Sequence, residues 1–132
     1  MLPFSLAAQV CGNELTVSAE PTRFGYSVSS PEGIRAARSI GDALRLACRE
    51  IAEFFEPARR PGVPWGLRVS VGDVGAVYGE WPLFPGPPDG SRRTDTPVSR
   101  IRRRWHDGDG PLAALDNARQ IIEAYAGRRH AA

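Results

Sequence analysis

The sequence predicts an α+β domain over residues 1–132: an antiparallel sheet of about six strands in three hairpins, packed on a central amphipathic helix, with a C-terminal helical pair. Three observations lead to this prediction. Short stretches of alternating apolar and polar residues flank one long helical pattern, turn residues join these stretches in pairs, and a second helical pattern follows them. A chain of this length can form one core without a disulfide or a metal.

Four stretches before the long helix alternate in this way and predict strands: 4–10, 15–19, 24–28 and 34–38. Gly12-Asn13 supplies the turn of a first hairpin, and the Ser-Pro-Glu-Gly sequence at 30–33 has the residue preferences of a type I turn. A helix that begins at Pro31 is the competing interpretation. We favour the strand because Gly33 weakens a continuous helix and a better cap lies further on.

The stretch 39–56 gives the clearest helical pattern. Its apolar residues recur at offsets of three, four and seven and form one stripe: Ile40, Leu44, Ala47, Cys48, Ile51, Phe54 and Phe55. Ser39 followed by Asp42 is close to a capping box, and Pro57 ends the helix.

A third hairpin is predicted after a short connector rich in proline and glycine. Residues 67–71 alternate, Gly72-Asp73 fits a two-residue turn, and residues 74–81 return. The connector is too short to separate two domains.

The segment that follows is rich in proline and predicts a long exposed loop at 82–97. Trp81, Leu83 and Phe84 place apolar side chains at its base. They either fold back over an open sheet edge as a plug, or form a docking site in which a polyproline-like backbone presents three anchors to another protein. We name these three residues as candidate partner-binding residues.

Residues 97–106 fit two interpretations. Thr96-Pro97 is a good helix start, after which Val98, Ile101 and Trp105 share one helical face, and this favours a short helix. The alternative is a strand, because Ile101 and Trp105 also fit an alternating pattern.

A last helical pattern begins at Pro111 and ends at Gly127. The apolar residues of this helix repeat the spacing of those in the central helix. In the central helix they are Ala43, Leu44, Ala47, Ile51 and Phe54, and in the last helix they are Ala114, Leu115, Ala118, Ile122 and Tyr125. This pattern is similar to that of the helix in HicB-type antitoxin modules, which have a strand-strand-strand-helix fold and bind a small toxin. Any amphipathic helix that packs on a sheet needs apolar residues at these spacings. The pattern therefore neither assigns the chain to a family nor establishes an internal duplication.

All seventeen basic residues are arginine, a bias that high-GC codon usage also produces. Their distribution is more informative, because six lie between positions 92 and 104 with a single acid, Asp95, in a chain of net charge +2. These six are the candidates for binding an acidic partner or nucleic acid: Arg92, Arg93, Arg100, Arg102, Arg103 and Arg104. A charge run is usually a solvated face, so nucleic-acid binding is the weaker expectation.

Motifs for catalysis or cofactor binding do not occur: the sequence has no Walker loop, CxxC, HExxH or GxSxG. His106, Asp107 and Asp109 form the one cluster of metal-ligating or acid–base groups, and Pro111 follows where a calcium loop would continue. We therefore expect no catalytic residues, no metal, no cofactor and no enzymatic activity.

Cys11 falls on a predicted strand and Cys48 on the buried stripe, where free cysteines behave as small hydrophobes. The first residues alternate as a strand and lack the basic region of a signal peptide, so we expect a cytoplasmic protein without a membrane span.

Three function classes remain. The first is a small non-catalytic bacterial or mobile-element protein that inhibits or regulates a partner protein by covering its surface, as antitoxins, immunity proteins and phage-encoded inhibitors do. The second is a nucleic-acid-binding accessory protein that uses the arginines of 92–104, and the third is an enzyme of unrecognised type. The sequence names neither the partner nor the oligomeric state.

Overall fold

A computed structural model describes residues 1–80 and 110–126 in full and residues 100–103 by their backbone. In chain order the elements are β1 (Phe4–Val10), β2 (Asn13–Thr22), β3 (Gly25–Ser30), β4 (Gly33–Ala37), α1 (Ile40–Phe54), a 3-10 turn (Glu56–Arg59), β5 (Trp65–Val71), β6 (Val74–Gly79), β7 (Arg100–Arg103) and α2 (Pro111–Ala126).

The strands form one sheet in the order β4-β3-β2-β1-β5-β6-β7. Neighbours among β1 to β6 are antiparallel, which confirms the α+β prediction, whereas β7 runs parallel to β6. β1 to β4, which correspond to the four strands predicted before the long helix, form an antiparallel meander, and β5 and β6 form the further hairpin on the other side of β1. α1 therefore carries the chain from the β4 edge back to the middle of the sheet.

α1 forms as its sequence predicts. The Ser39 hydroxyl accepts a hydrogen bond from the backbone N–H of Asp42 at 3.1 Å, which satisfies one of the free donors of the first turn. The opposite face is exposed and carries ion pairs within the helix, such as Arg45 with Asp42 at 2.9 Å. The inner stripe is buried at Ala43, Leu44, Ala47 and Ile51.

Both helices lie on the same face of the sheet, because α1 and α2 contact each other as well as the strands. We call this the helix face. Its core joins strand residues such as Leu6 and Val69 to Ile51 of α1 and Ile122 of α2, all fully buried. Burial of each large apolar side chain contributes about 1.5–3 kcal/mol. No helix in residues 1–80 or 110–126 is long and apolar enough to cross a membrane.

The other face of the sheet carries a row of small polar side chains, and it also holds the buried Val77 of β6. One row of paired residues crosses it from β3 to β5: Ser29, Ser18, Ser5 and Ser70. The Oγ atoms of Ser5 and Ser70 are 2.7 Å apart, a hydrogen bond between neighbouring strands. We call this the serine face, and neither α1 nor α2 packs on it.

The first turn differs from its prediction. The two-residue loop is Cys11-Gly12 and not Gly12-Asn13, because Val10 pairs with Asn13. Both loop residues have positive φ, 51° and 86°, as a type I′ hairpin requires. Cys11 is therefore an exposed turn residue, and the strand position expected for it was wrong.

The short helix expected over 97–106 is also wrong where the structure describes it, because residues 100–103 form β7. This is the strand alternative that the alternation permitted. Pairing with β6 at the sheet edge selects the strand over the helix. A short sequence window around residues 97–106 does not include β6, so it could not predict this outcome. The rest of 97–106 and the loop predicted at 82–97 lie outside the described residues. Of the predicted C-terminal helical pair, the described residues contain α2.

Candidate binding surfaces

Three of the sequence-predicted binding residues lie on the sheet edge formed by β6 and β7. β6 ends at Gly79, two residues before Trp81. Arg100, Arg102 and Arg103 lie on β7, which pairs with β6. The remaining candidates lie outside the described residues: Trp81, Leu83, Phe84, Arg92, Arg93 and Arg104.

The end of β6 is fixed against the start of β5. Glu80 donates its backbone N–H to the carbonyl oxygen of Trp65 at 2.9 Å. Gly79 has φ 62°, and a Cβ there would lie 2.6 Å from the same carbonyl oxygen and 2.9 Å from the Trp65 ring. Only glycine fits this approach without a shift of the backbone. The chain thus enters its proline-rich segment from a defined point beside Trp65.

β7 begins at the other end of this edge. Its register runs from Val74 opposite Arg100 to Val77 opposite Arg103, so Arg100 lies far from Gly79, where β6 ends. Two parallel neighbours need a connection of a dozen or more residues, and residues 80–99 provide it. Both ends of the segment with the candidate aromatic residues are therefore anchored on one sheet edge.

The opposite edge of the sheet is β4. Four of its five residues, Gly33 to Ala36, are exposed, and no described strand pairs with its outer side. Ile34 is 73% exposed and lies on the serine face, opposite Ser29. Arg35, the next residue, lies on the opposite face of the sheet. Its ion pair with Glu32 is long, at 4.0 Å between exposed side chains. Such a pair contributes little stability, so the Arg35 charge remains available to a ligand.

The same edge has a second exposed apolar residue at its far end. Phe24 is 82% exposed, with the Arg23 guanidinium 6.0 Å from its ring centre. Phe24 is held beside the end of β4 because a Cβ at the next residue, Gly25, would overlap the carbonyl oxygen of Ala37. Ile34 and Phe24 thus lie near the two ends of a strand whose outer side no other described strand covers.

A groove of about 600 Å³ runs between α1 and α2 on the side away from the sheet. Its apolar lining includes Leu44, Cys48 and Leu115, and charged side chains line its rims. On α2, Arg119 donates to Asp116 at 2.9 Å and to Glu123 at 3.0 Å. The hydrogen bond from Arg119 lowers the pKa of Asp116. The charges on the α2 rim are therefore paired within that helix.

Cys48 does not have the properties of a nucleophile. Burial raises the pKa of its thiol to about 11, so at neutral pH it is protonated and inert. Within residues 1–80 and 110–126 no group of three His, Cys, Asp or Glu side chains is placed to hold a metal ion. His106, Asp107 and Asp109, the cluster noted in the sequence, lie outside the described residues.

Comparison with known proteins gives no assignment: no family model matches this chain, and no match was found among curated proteins or solved structures.

Sequence reasoning missed the β4 edge. Alternation and turn chemistry predicted the strand itself, but not that it would lie at the border of the sheet. That position follows from the register of six strands, which no short window contains. A signal was present in Ile34 and Arg35, since a charged residue within a short strand is typical of an edge.

Proposed function

We propose that this protein is a small non-catalytic binding protein, bacterial or from a mobile element, that inhibits or regulates a partner protein by covering its surface. Antitoxins, immunity proteins and phage-encoded inhibitors act in this way. The contact is made by Trp81, Leu83 and Phe84 as apolar anchors, with the arginines at 92, 93, 100 and 102–104 meeting acidic groups of the partner.

One observation carries the proposal: both ends of the segment 80–99 are anchored on the β6–β7 edge. Glu80 is hydrogen-bonded to Trp65 at one end, and β7 pairs with β6 at the other. A segment tethered at both ends loses less conformational entropy on binding than a free one, and this favours affinity. The arginine strand on the same edge adds charges that steer an acidic partner.

The proposal places the protein in the cytoplasm. Cys11 and Cys48 are both free thiols, a state that persists in a reducing compartment.

The test is affinity capture from the native host with three forms of the chain. In one variant Trp81, Leu83 and Phe84 are replaced by Ser, and in a second Arg100, Arg102, Arg103 and Arg104 are replaced by Gln. The aromatic variant should lose the partner through faster dissociation, because desolvated aromatic anchors carry most of the energy of such contacts. The arginine variant should bind more slowly, because these charges act on association.

Nucleic-acid binding by the same arginines is the alternative outcome. Affinity would then fall steeply with salt, with a log–log slope of about −0.9 per neutralised phosphate on duplex DNA. Nanomolar, salt-sensitive binding to a defined DNA or RNA, lost in the arginine variant and kept in the aromatic variant, would overturn protein binding as the function.

A further inference from the structure

We propose that the outer side of β4 is a second docking site, which binds an extended segment of another protein carrying an acidic residue opposite Arg35, and that this segment adds a strand to the sheet. The site lies at the opposite edge from β6 and β7 and does not depend on the function proposed above.

The backbone of β4 provides the first argument. In an edge strand every second residue directs its N–H and C=O groups away from the sheet, and such a row is a template for another strand. Residues Gly33 to Ala36 are exposed, so no part of the chain that the structure describes blocks this side. Added strands of this kind gain affinity from main-chain hydrogen bonds and specificity from alternate side chains.

The side chains of this edge define what kind of strand fits. Ile34, on the serine face, offers an apolar contact, and Arg35, on the other side, offers a charge that its pair with Glu32 at 4.0 Å hardly engages. Three arginines and one glutamate lie within residues 23–38. A strand in which an acidic residue alternates with apolar residues therefore complements β4 on both of its sides.

A second copy of the chain is a poorer occupant. In the antiparallel register that pairs all five residues of β4 with themselves, Arg35 lies opposite Arg35. Like charges directly opposite each other destabilise a strand pair. Arg35 thus opposes pairing between two copies of β4 and favours an acidic strand instead.

The experiment uses the full chain and a short blocked peptide in which Val alternates with Glu. Binding is followed by backbone amide NMR shifts and by hydrogen exchange. We expect saturable binding with shifts confined to β3 and β4 and added protection of amides in Gly33–Ala37. Shifts centred on the groove between α1 and α2, or no saturable binding, would overturn the proposal.

Two matched controls test the charge and the backbone separately. Arg35→Glu should weaken binding about tenfold or more and transfer the preference to a Val–Lys peptide, while Arg45→Glu on the exposed face of α1 should change nothing. A backbone N-methylated Val–Glu peptide keeps the side chains but loses its donors, so it should not bind. Equal binding of the methylated peptide would exclude strand addition.

Two further variants test the apolar contact and the choice of occupant. Ile34→Thr keeps a β-branched residue and should weaken binding without changing the fold. The triple Ser variant at 81, 83 and 84 should bind the peptide normally, so the two proposals fail or succeed independently. Sedimentation that showed a dimer of the native chain, together with protected β4 amides in the absence of peptide, would make a second copy the occupant and overturn the assignment.

Discussion

The two faces of the sheet are stabilised by different interactions. On the helix face, α1 and α2 bury residues such as Leu6, Val69 and Ile51 completely, so the free energy comes from removing apolar area from water. On the serine face, the side chains of Ser5 and Ser70 share a hydrogen bond across neighbouring strands. The difference means that the apolar core described above lies on the helix face, whereas the serine face holds a buried apolar residue only at Val77 among the described residues.

The largest test of this comparison is on the helix face. Ile51 is fully buried, and Ile51→Ala should lower the free energy of unfolding by about 2–5 kcal/mol, because it removes apolar contacts and leaves a cavity. Arg45→Ala, on the exposed side of α1, should change it by less than about 0.5 kcal/mol. Urea titration measures both. Equal losses would show that α1 does not bury the stripe assigned to it.

A second test concerns Cys48, at the outer rim of the helix face. Its pKa is about 11 in the folded protein against 9.0 for a model thiol, so the folded state holds the proton that the unfolded state releases. The contribution of the protonated Cys48 thiol to the free energy of unfolding is therefore complete below pH 9. It is lost as pH rises towards 11, by at most about 3 kcal/mol.

Unfolding measured from pH 8 to 11 should show a steeper alkaline loss for the native chain than for Cys48→Ala. Burial also raises the pKa of Tyr26, but that residue is present in both proteins and cancels in the difference. Parallel curves for the two proteins would mean that Cys48 is not shielded from water.

The serine face should respond more weakly. Ser70 is 7% exposed, and its hydroxyl group lies 2.7 Å from that of Ser5. Either Ser→Ala change should cost about 0.5–1.5 kcal/mol, because the remaining hydroxyl loses its partner. In a double-mutant cycle the double variant should cost clearly less than the sum of the two. Strict additivity would mean that the two hydroxyls do not interact.

The sequence predicted the helix face better than the rest, for a physical reason. α1 and the strands that flank it have strong periodicity, and the cap at Ser39 is a local interaction, so short windows contain the information. Position within the sheet is not local. The edge position of β4 and the pairing of β7 with β6 depend on strands far away in the chain, and the candidate site at β4 was missed for that reason.

The turn at Cys11 was mispredicted for a different reason. Asn and Gly are the usual residues of a type I′ turn, and the sequence offered Gly12-Asn13 as the obvious pair. The register of β1 with β2 instead places Val10 opposite Asn13 and leaves Cys11 at φ 51°. Burial of Phe4, Leu6, Ala8 and Val10 on one face therefore overrides local turn preference.

The smallest expected effect is that of a reductant, which should leave the melting temperature unchanged. Cys11 is in an exposed turn and Cys48 is half-buried in the groove between the helices, and both are free thiols. A thiol reagent at pH 8 should therefore label Cys11 rapidly and Cys48 slowly, since the raised pKa of Cys48 leaves little reactive thiolate. Cys11→Asn, whose side chain tolerates the positive φ of this turn, is the matched control, and it should retain the slow site alone. A fall of several degrees on reduction of the native chain, absent in Cys11→Asn, would instead reveal a bridge between the two cysteines, and with it an oxidising compartment in place of the cytoplasm.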